Sequence, residues 1–387
     1  MDGAAGLPLE ERGGKTTLEL SDTPNLDILA GEGTSGLVHT IPDGMEPSSA
    51  CGCMSVLGYN PKVYYRGRGS IEAKSMGIDI EKGDVVFRCN LVAVGDGLMR
   101  SYSAGYISAG EAGELIAALN ENLGNDRIRF YPGIGFRHIL KLKGLEETLE
   151  AICTPAHDIP DKPVEEYLPR GKGSQPLRDL MERSRDILRD HPVNLARISR
   201  GELPANMIWL FWGSSQAPVL PSFKEAYGLR AAMTSGVDLL RGLAQMMEMQ
   251  VLEIPGVTDG QDNDYQAQGE GALSALSEYD MVVVHVEAPD EAAHDGSFEG
   301  KRKAIERIDG EILGRLRKYK GDLRLLVMPD HPTPIAFRTH SPEPVPFLLW
   351  GHGFTPNGAR RFTEQEAEKT DLFIEDGYTL MNRLVGR

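Results

Sequence analysis

Three apolar runs in the C-terminal half of the chain have the length and composition of buried β-strands, and they cover residues 281–286, 323–328 and 345–350. Between the first two runs, Ile or Leu recurs every three or four residues from Ile305 to Leu316, which predicts a helix there. A strand, a helix and a strand in this order form a βαβ unit. The pattern therefore predicts an α/β fold in which helices cover both faces of a sheet containing parallel strands.

The segment from residue 84 to 170 has a different pattern, with short stretches of alternating apolar and polar residues such as 84–92. Such alternation is typical of strands that bury one face. A proline-rich loop follows, and residues 160–175 have the composition of a linker. We therefore predict a smaller α/β domain at residues 84–170, inserted into a discontinuous core domain of residues 1–83 and 171–387.

The chain of 387 residues has a formal net charge of −16 at pH 7. A field of this sign repels nucleic acids and anionic membranes, so we expect neither as a partner. A small anionic substrate is compatible with this charge, because it needs only a local cluster of Arg, Lys or metal ions. The chain lacks a long apolar stretch and the pattern of a signal peptide, so we expect a soluble, cytoplasmic protein.

The four cysteines are too sparse for a disulfide scaffold and lack zinc-finger spacing; they are Cys51, Cys53, Cys89 and Cys153. We interpret them as reduced thiols. Cys51 and Cys53 are two residues apart, and for them we favour buried structural roles over contact with a metal.

Acidic and imidazole side chains follow the predicted strands near the C-terminus. Asp290 and His294 come after the first run and share one face if their segment is helical. Asp330 and His331 follow the second run, and His340 precedes the third. Because ligands bind at the carboxyl ends of strands in an open α/β sheet, these groups are predicted to converge. Such oxygen and nitrogen ligands suit a pair of divalent ions. Mn²⁺ and Zn²⁺ fit this donor set better than Mg²⁺ does.

A pair of divalent ions can stabilise both the attacking and the leaving oxygen of a phosphoryl group. The alternative is that each histidine is an ordinary core or loop residue. The concentration of four of the nine histidines between His285 and His340 favours the metal site. His285 lies inside the first strand run, and we assign it a structural role.

The segments Asp290–His294, Asp330–His331 and Arg338–Ser341 resemble the metal-binding signature of the alkaline phosphatase superfamily, in its cofactor-independent phosphoglycerate mutase branch. The sequences GGKTTLE from Gly13 and LGYNP from Leu57 extend the resemblance to the archaeal-type members over nearly the whole chain. It implies an alkaline-phosphatase-like mixed sheet sandwiched by helices, with a smaller inserted α/β domain. It also implies interconversion of 3-phosphoglycerate and 2-phosphoglycerate without 2,3-bisphosphoglycerate.

In this family a serine that follows a proline and a small residue carries the phosphate, and the resemblance gives this role to Ser49. Coordination to a divalent ion would activate its hydroxyl, which is a weak nucleophile when free. The resemblance assigns one ion to Asp290, His294 and His340, and the other to Asp2, Ser49, Asp330 and His331. Co²⁺ is a further alternative for either ion.

A phosphoglycerate carries a phosphate and a carboxylate, and guanidinium groups bind both through paired hydrogen bonds. A solvated surface position is the alternative for any single arginine. The loop containing His157 and Asp158 resembles a loop of the family that faces the substrate. The arginine candidates are Arg66, Arg68, Arg88, Arg100 and Arg137.

The chain departs from the family pattern at two places. Ala50 and Cys53 stand where relatives usually carry an acidic residue and a His or Asn. Some relatives have been proposed as homoserine kinases, so a phosphotransferase or phosphatase is an alternative function, as is a non-catalytic metal-binding protein. Relatives also carry an apolar strand before the first metal-binding aspartate, whereas only Met1 precedes Asp2, and we expect an in-frame apolar segment upstream.

Overall fold

The structure is a computed structural model that describes residues 1–216 and 219–387. In this part of the chain no helix is both long and apolar enough to cross a membrane. The strands are β1 (Thr34–Val38), β2 (Asp84–Gly95), β3 (Leu98–Ser101), β4 (Ile128–Tyr131), β5 (Arg137–Lys143), β6 (Met207–Ser214), β7 (Ala231–Thr234), β8 (Gln250–Val251), β9 (Met281–Val284), β10 (Arg324–Val327), β11 (Val345–Gly351) and β12 (Phe373–Ile374).

The α-helices are α1 (Thr17–Leu20), α2 (Pro24–Glu32), α3 (Ser49–Val56), α4 (Pro61–Tyr64), α5 (Arg68–Ser75), α6 (Ala109–Leu123), α7 (Gln175–Leu188), α8 (Pro192–Ser199), α9 (Phe223–Tyr227), α10 (Asp238–Met246), α11 (Tyr265–Ala275), α12 (Ala288–His294), α13 (Phe298–Arg307), α14 (Gly314–Leu316), α15 (Glu364–Glu368) and α16 (Leu380–Val385). Short 3₁₀ turns lie at Glu10–Arg12, Glu146–Glu150, Ala156–Asp158, Val164–Tyr167 and Gly377–Thr379. A π-helical segment, Ile308–Leu313, joins α13 to α14.

These elements form two compact units. Unit 1 comprises Met1–Tyr65 and Val219–Arg387, and unit 2 comprises Arg66–Pro218. Each unit combines helices with one or more sheets, so the protein is a mixed α/β protein with several sheets.

Unit 1 contains two sheets. The first has the order β10-β11-β1-β12, in which β1 is antiparallel to β11 and parallel to β12. The second has the order β8-β7-β9, and its strands are parallel. The helix predicted after β9 forms as α13, the π-helical segment and α14, and it buries the predicted stripe, including Ile305 and Ile312. The hydrophobic period therefore located both the strands and the helix between them.

The predicted βαβ unit, which requires β9 and β10 to lie in one sheet, is not formed. β9 hydrogen-bonds to β7 and β10 to β11, so the two strands belong to different sheets. A cavity of about 740 Å³ is lined by apolar side chains of both strands, including Val283 and Leu325.

Unit 2 is built around β2, whose side chains are nearly all buried. The sheet runs β3-β2-β5-β4, and β6 pairs antiparallel with β2. Helix α6 begins after Ser108, whose hydroxyl accepts a hydrogen bond from the Glu111 N–H and so caps the helix. Its buried face, which includes Leu115 and Leu119, joins the core of this unit.

The boundaries of unit 2 fall at residues 65/66 and 218/219, whereas the predicted boundaries of the inserted domain were at 83/84 and 170/171. Helix α5 belongs to unit 2, where the Ser70 N–H donates to Ser214 Oγ at 2.6 Å. On the other side, β6 completes the sheet of unit 2, and the expected linker lies inside the unit, where Ile152 and Arg170 exchange two backbone hydrogen bonds. Local composition misses such boundaries because β6 joins a strand more than 110 residues earlier in the chain.

Candidate active site

Helix α3 presents Ser49 as its first residue. The preceding Ser48 caps the helix, because its hydroxyl accepts from the Cys51 N–H. Ser49 is buried, and its Oγ lies 3.2 Å from His331 Nε2. The free N–H groups and the dipole at a helix N-terminus favour negative charge, so a phosphate on this hydroxyl would be stabilised.

Three donor groups form what we call the outer cluster, namely Asp290, His294 and His340. Asp290 and His294 lie one turn apart on α12, with 3.1 Å between His294 Nε2 and Asp290 Oδ2. His340 Nε2 is 3.0 Å from His294 Nε2. His294 Nδ1 lies 2.9 Å from the carbonyl oxygen of Arg338, to which an Nδ1–H can donate, and this leaves Nε2 directed at the cluster.

The inner cluster contains Asp2, Asp330 and His331, all buried. His331 Nε2 lies 3.2 Å from Asp330 Oδ2 and 3.5 Å from Asp2 Oδ1. The backbone N–H of Asp2 donates to the Val286 carbonyl at 2.9 Å, which holds this residue in place although it is second in the chain.

The two clusters are adjacent. The ring centroids of His331 and His340 are 4.2 Å apart, and Ser49 Oγ is within reach of the inner cluster. The structure thus brings together the residues that the sequence singled out as metal ligands. Their role as ligands remains a prediction.

Two side chains that were predicted to have structural roles contact the inner cluster. His285 was assigned a structural role, yet its Nε2 lies 2.8 Å from Asp2 Oδ2 and its Nδ1 lies 2.9 Å from Ser235 Oγ. Cys53, interpreted as a structural thiol, has Sγ 3.3 Å from Asp330 Oδ2. The signals in the sequence were the position of His285 near a strand end, the spacing of four residues between Ser49 and Cys53, and the place of Cys53 where relatives usually carry a His or Asn.

The outer cluster favours a charged imidazole. Burial opposes the ionisation of His294, but the Asp290 carboxylate outweighs burial and raises the pKa of His294 to about 9. Burial likewise opposes ionisation of Asp290, but the His294 and His340 rings hold the pKa of this carboxyl well below its ordinary value. In the metal-free protein this cluster is therefore an ion pair.

The inner cluster favours neutral imidazoles. Burial lowers the pKa of His331 to about 4, and burial together with the N-terminal ammonium lowers that of His285 to about 3. Burial and the neighbouring carboxyls, Asp330 first among them, raise the pKa of Asp2 well above its ordinary value. Asp2 Oδ1 is buried without a hydrogen-bond partner among the described residues. These donors fit a divalent cation, because it would satisfy the carboxylates and bind the neutral imidazoles.

Unit 2 contains a buried basic cluster. Glu72 forms ion pairs with Arg68, at 2.8 Å, and with Arg88. Arg88 Nε also donates to Asn90 Oδ1 at 2.8 Å, and the Arg68 guanidinium lies 4.0 Å from the centre of the Trp212 ring. Two cations share one anion here, so the cluster retains a positive charge.

The remaining substrate-binding candidates also lie in unit 2. The Arg137 guanidinium lies 5.0 Å from the centre of the Phe136 ring, and the His157 ring contacts Trp212 at 5.4 Å between centroids. Asp158 Oδ1 is 3.9 Å from His157 Nε2. Arg66 is exposed in the segment between α4 and α5. Arg100 forms ion pairs with Asp96 and Asp161 at the surface.

The fold and the site define a class of mixed α/β protein in which two adjacent clusters of Asp and His side chains, each able to hold a metal ion, lie beside a serine. The family model for 2,3-bisphosphoglycerate-independent phosphoglycerate mutase matches residues 30–194. The mutase of that name from Methanothrix thermoacetophila is 43% identical over 388 residues, covering 99% of this chain and 97% of the relative. The chain belongs to the archaeal-type family of 2,3-bisphosphoglycerate-independent phosphoglycerate mutases.

Two solved structures agree with this assignment. The cofactor-independent phosphoglycerate mutase from Thermoplasma acidophilum is 28% identical with a TM-score of 0.62, covering 100% of this chain and 97% of the other. A protein from Pyrococcus horikoshii is 26% identical with a TM-score of 0.80, covering 100% of this chain and 95% of the other. The resemblance identified from the sequence motifs is thereby confirmed.

Proposed function

We propose that the protein interconverts 3-phosphoglycerate and 2-phosphoglycerate through a phosphoserine intermediate on Ser49. The observation that carries the proposal is the Ser49 hydroxyl, which lies at the N-terminus of α3 and 3.2 Å from His331 Nε2. Membership of the mutase family supports the substrate, because relatives with this name match the chain over nearly its whole length.

The inner cluster with Ser49 would hold one divalent ion, and the outer cluster would hold the second. When bound, two such ions lower the pKa of a coordinated hydroxyl and neutralise charge on a transferring phosphoryl group. The donor set of imidazoles and carboxylates supports Mn²⁺ or Zn²⁺ in these positions. Contacts such as that between His294 Nδ1 and the Arg338 carbonyl fix the orientation of the donor rings.

Phosphoryl transfer then takes two steps. In the first, Ser49 Oγ loses its proton and bonds to phosphorus as the bond from phosphorus to the C3 oxygen of the substrate breaks, and the released glycerate oxygen takes up a proton. In the second, the C2 hydroxyl loses a proton and its oxygen bonds to phosphorus as the bond from phosphorus to Ser49 Oγ breaks, and Ser49 Oγ takes up a proton. The positive end of the α3 dipole stabilises the phosphoserine between these steps.

The basic cluster of unit 2 supports an anionic ligand. Arg68 and Arg88 present planar guanidinium groups, and Glu72 holds both of them in place. Such groups bind phosphate and carboxylate through paired hydrogen bonds. Arg66, Arg137, His157 and Asp158 are the further candidates for binding the phosphoglycerate.

The test is a Ser49→Ala variant in an assay coupled to enolase, with the metal-loaded protein. We expect turnover to fall by about 10³-fold or more, because the group that accepts the phosphoryl is removed. Ser48→Ala is the matched control. It removes a helix cap and costs about 1 kcal/mol of stability, but it leaves the nucleophile in place.

Mass spectrometry of the wild-type protein quenched during turnover should detect one phosphate on the peptide containing Ser49. Turnover that survives Ser49→Ala would refute the assignment of the nucleophile. Release of inorganic phosphate without 2-phosphoglycerate would instead indicate a phosphatase that uses the same residues.

A further inference from the structure

Cys53 directs its thiol into the inner cluster. It lies one turn after Ser49 in α3, so the two side chains share a face of the helix. The residue is only 5% exposed. Its Sγ is 3.3 Å from Asp330 Oδ2, and donor atoms of Asp2, Cys53 and His285 all lie within 4.8 Å of one another.

Close packing of α3 fixes this position. A Cβ added at Gly52 would lie 2.5 Å from the carbonyl oxygen of Asp330, so the glycine permits the helix to approach the end of β10. The other thiol of this helix is directed elsewhere, since Cys51 Sγ is 3.9 Å from Met45 Sδ. The two cysteines of one short helix are therefore a natural pair for comparison.

A second observation indicates that a cation belongs in this cluster. Asp2 is 0% exposed, and its Oδ1 has no hydrogen-bond partner within the described part of the chain. Buried carboxylate oxygens are ordinarily hydrogen-bonded or bound to a metal. Asp2 contributes a donor atom to two groups whose donors lie within 4.8 Å of one another, one with Cys53 and His285 and one with Asp330 and His331.

We propose that Cys53 binds the inner divalent ion as a thiolate, together with Asp2 and Asp330, and that the ion is a borderline-soft metal such as Zn²⁺. This inference rests on the proposed two-metal centre and adds a ligand to it. Binding releases the thiol proton to solvent, and the sulfur donates an electron pair to the metal. Thiolate ligands select Zn²⁺ over Mg²⁺ or Mn²⁺, which prefer oxygen.

The distances agree with this coordination. Zn–S and Zn–O bonds of about 2.3 and 2.0 Å at a tetrahedral angle place the two donor atoms about 3.5 Å apart. The distance between Cys53 Sγ and Asp330 Oδ2 is 3.3 Å.

The experiment uses the full chain loaded with Co²⁺, because a cobalt–thiolate bond gives charge-transfer absorption in the near ultraviolet that oxygen and nitrogen ligands do not give. We expect this band in the wild-type protein and in Cys51→Ser, and its loss in Cys53→Ser. The affinity for Zn²⁺ should fall about 100-fold in Cys53→Ser. Loss of a ligand should lower the affinity at least as much as loss of a group that only orients a ligand. Cys51→Ser should keep the wild-type affinity.

The outcomes separate this inference from the proposed function. If the wild-type protein binds two Co²⁺ ions and catalyses the mutase reaction without the band, Cys53 is not a ligand but the proposed function stands. If it binds no Co²⁺, both are overturned. If Cys53→Ser does not fold, cadmium NMR of the wild-type protein decides the question, because a sulfur ligand moves the resonance far downfield and its absence there overturns the inference.

Discussion

The outer and inner clusters use the same residue types, yet the pKa values of their histidines His294 and His331 are shifted in opposite directions. The His294 side chain is 31% exposed and pairs with one carboxylate, and its pKa is raised to about 9. The His331 side chain is fully buried, and its pKa falls to about 4. Burial depth thus decides whether an imidazole beside a carboxylate is charged, even when the two clusters are in contact.

Because of this difference, the binding of a metal ion has different requirements in the two clusters. A cation entering the outer cluster must displace the His294 proton, whereas the low pKa of His331 leaves its ring neutral for binding. In the inner cluster the pKa values of Asp2 and Cys53 are both raised, with burial the largest cause. Each cluster is therefore expected to release protons on metal binding, but from different side chains.

The largest expected effect comes from removing one carboxylate of each cluster. Asp290→Asn and Asp330→Asn should each reduce bound metal from two ions to one per chain and lower mutase turnover by about 10³-fold. Metal analysis after desalting, with the enolase-coupled assay, measures both quantities. Asp309→Asn is the matched control, because Asp309 is buried but accepts from the Leu26 N–H, at 2.6 Å, and from Asn25.

The control should lose stability and keep both ions. If Asp290→Asn retained two ions, the division of the site into two clusters would be wrong.

A smaller effect is expected from His285, the residue that was first assigned a structural role. His285→Gln removes the imidazole that orients Asp2, so affinity for the inner ion should fall about 10- to 100-fold while the outer ion is unaffected. Competition with a chelator of known affinity resolves the two sites. Equal weakening of both ions would indicate a general loss of folding instead of a local role.

The smallest effect is the pH dependence of the metal-free protein. The folded pKa of His294, about 9, exceeds its ordinary value of 6.5, so the ion pair with Asp290 contributes stability below about pH 6.5. That contribution is lost as pH rises through about 9. We expect the free energy of unfolding to fall by about 1 kcal/mol over this range, after allowance for solvent screening.

Urea denaturation of wild type and His294→Gln, with a chelator present, isolates this contribution as a difference that shrinks between pH 6.5 and 9.5. NMR of the ring protons gives the pKa directly. A His294 that titrates near 6.5 would remove the distinction between the clusters.

Much of the site was predictable because its signals are local. Asp290 and His294 share a helix face at a spacing of four, and Asp330 and His331 directly follow a strand. The family motifs supplied Ser49 and Asp2. None of these assignments required knowledge of which strands pair.

The errors in the predicted fold all concern pairing between distant segments. The apolar runs at β9 and β10 were identified correctly as strands, but their pairing was not, since each run is equally compatible with several neighbours. The limits of unit 2 were missed for the same reason. A hydrophobic period indicates which face of an element is buried, but it does not indicate which other element packs against that face.

The sequence by itself determined the positions of the strands and helices near the site, the candidate donors and the family of the chain, because these depend on residue types at short spacing. Tertiary structure alone decided that His285 and Cys53 join the inner cluster and that Glu72 holds Arg68 and Arg88 together. It also decided the protonation of each cluster. Burial and charge contacts are set by segments distant in the chain, and they control both ligand geometry and pKa.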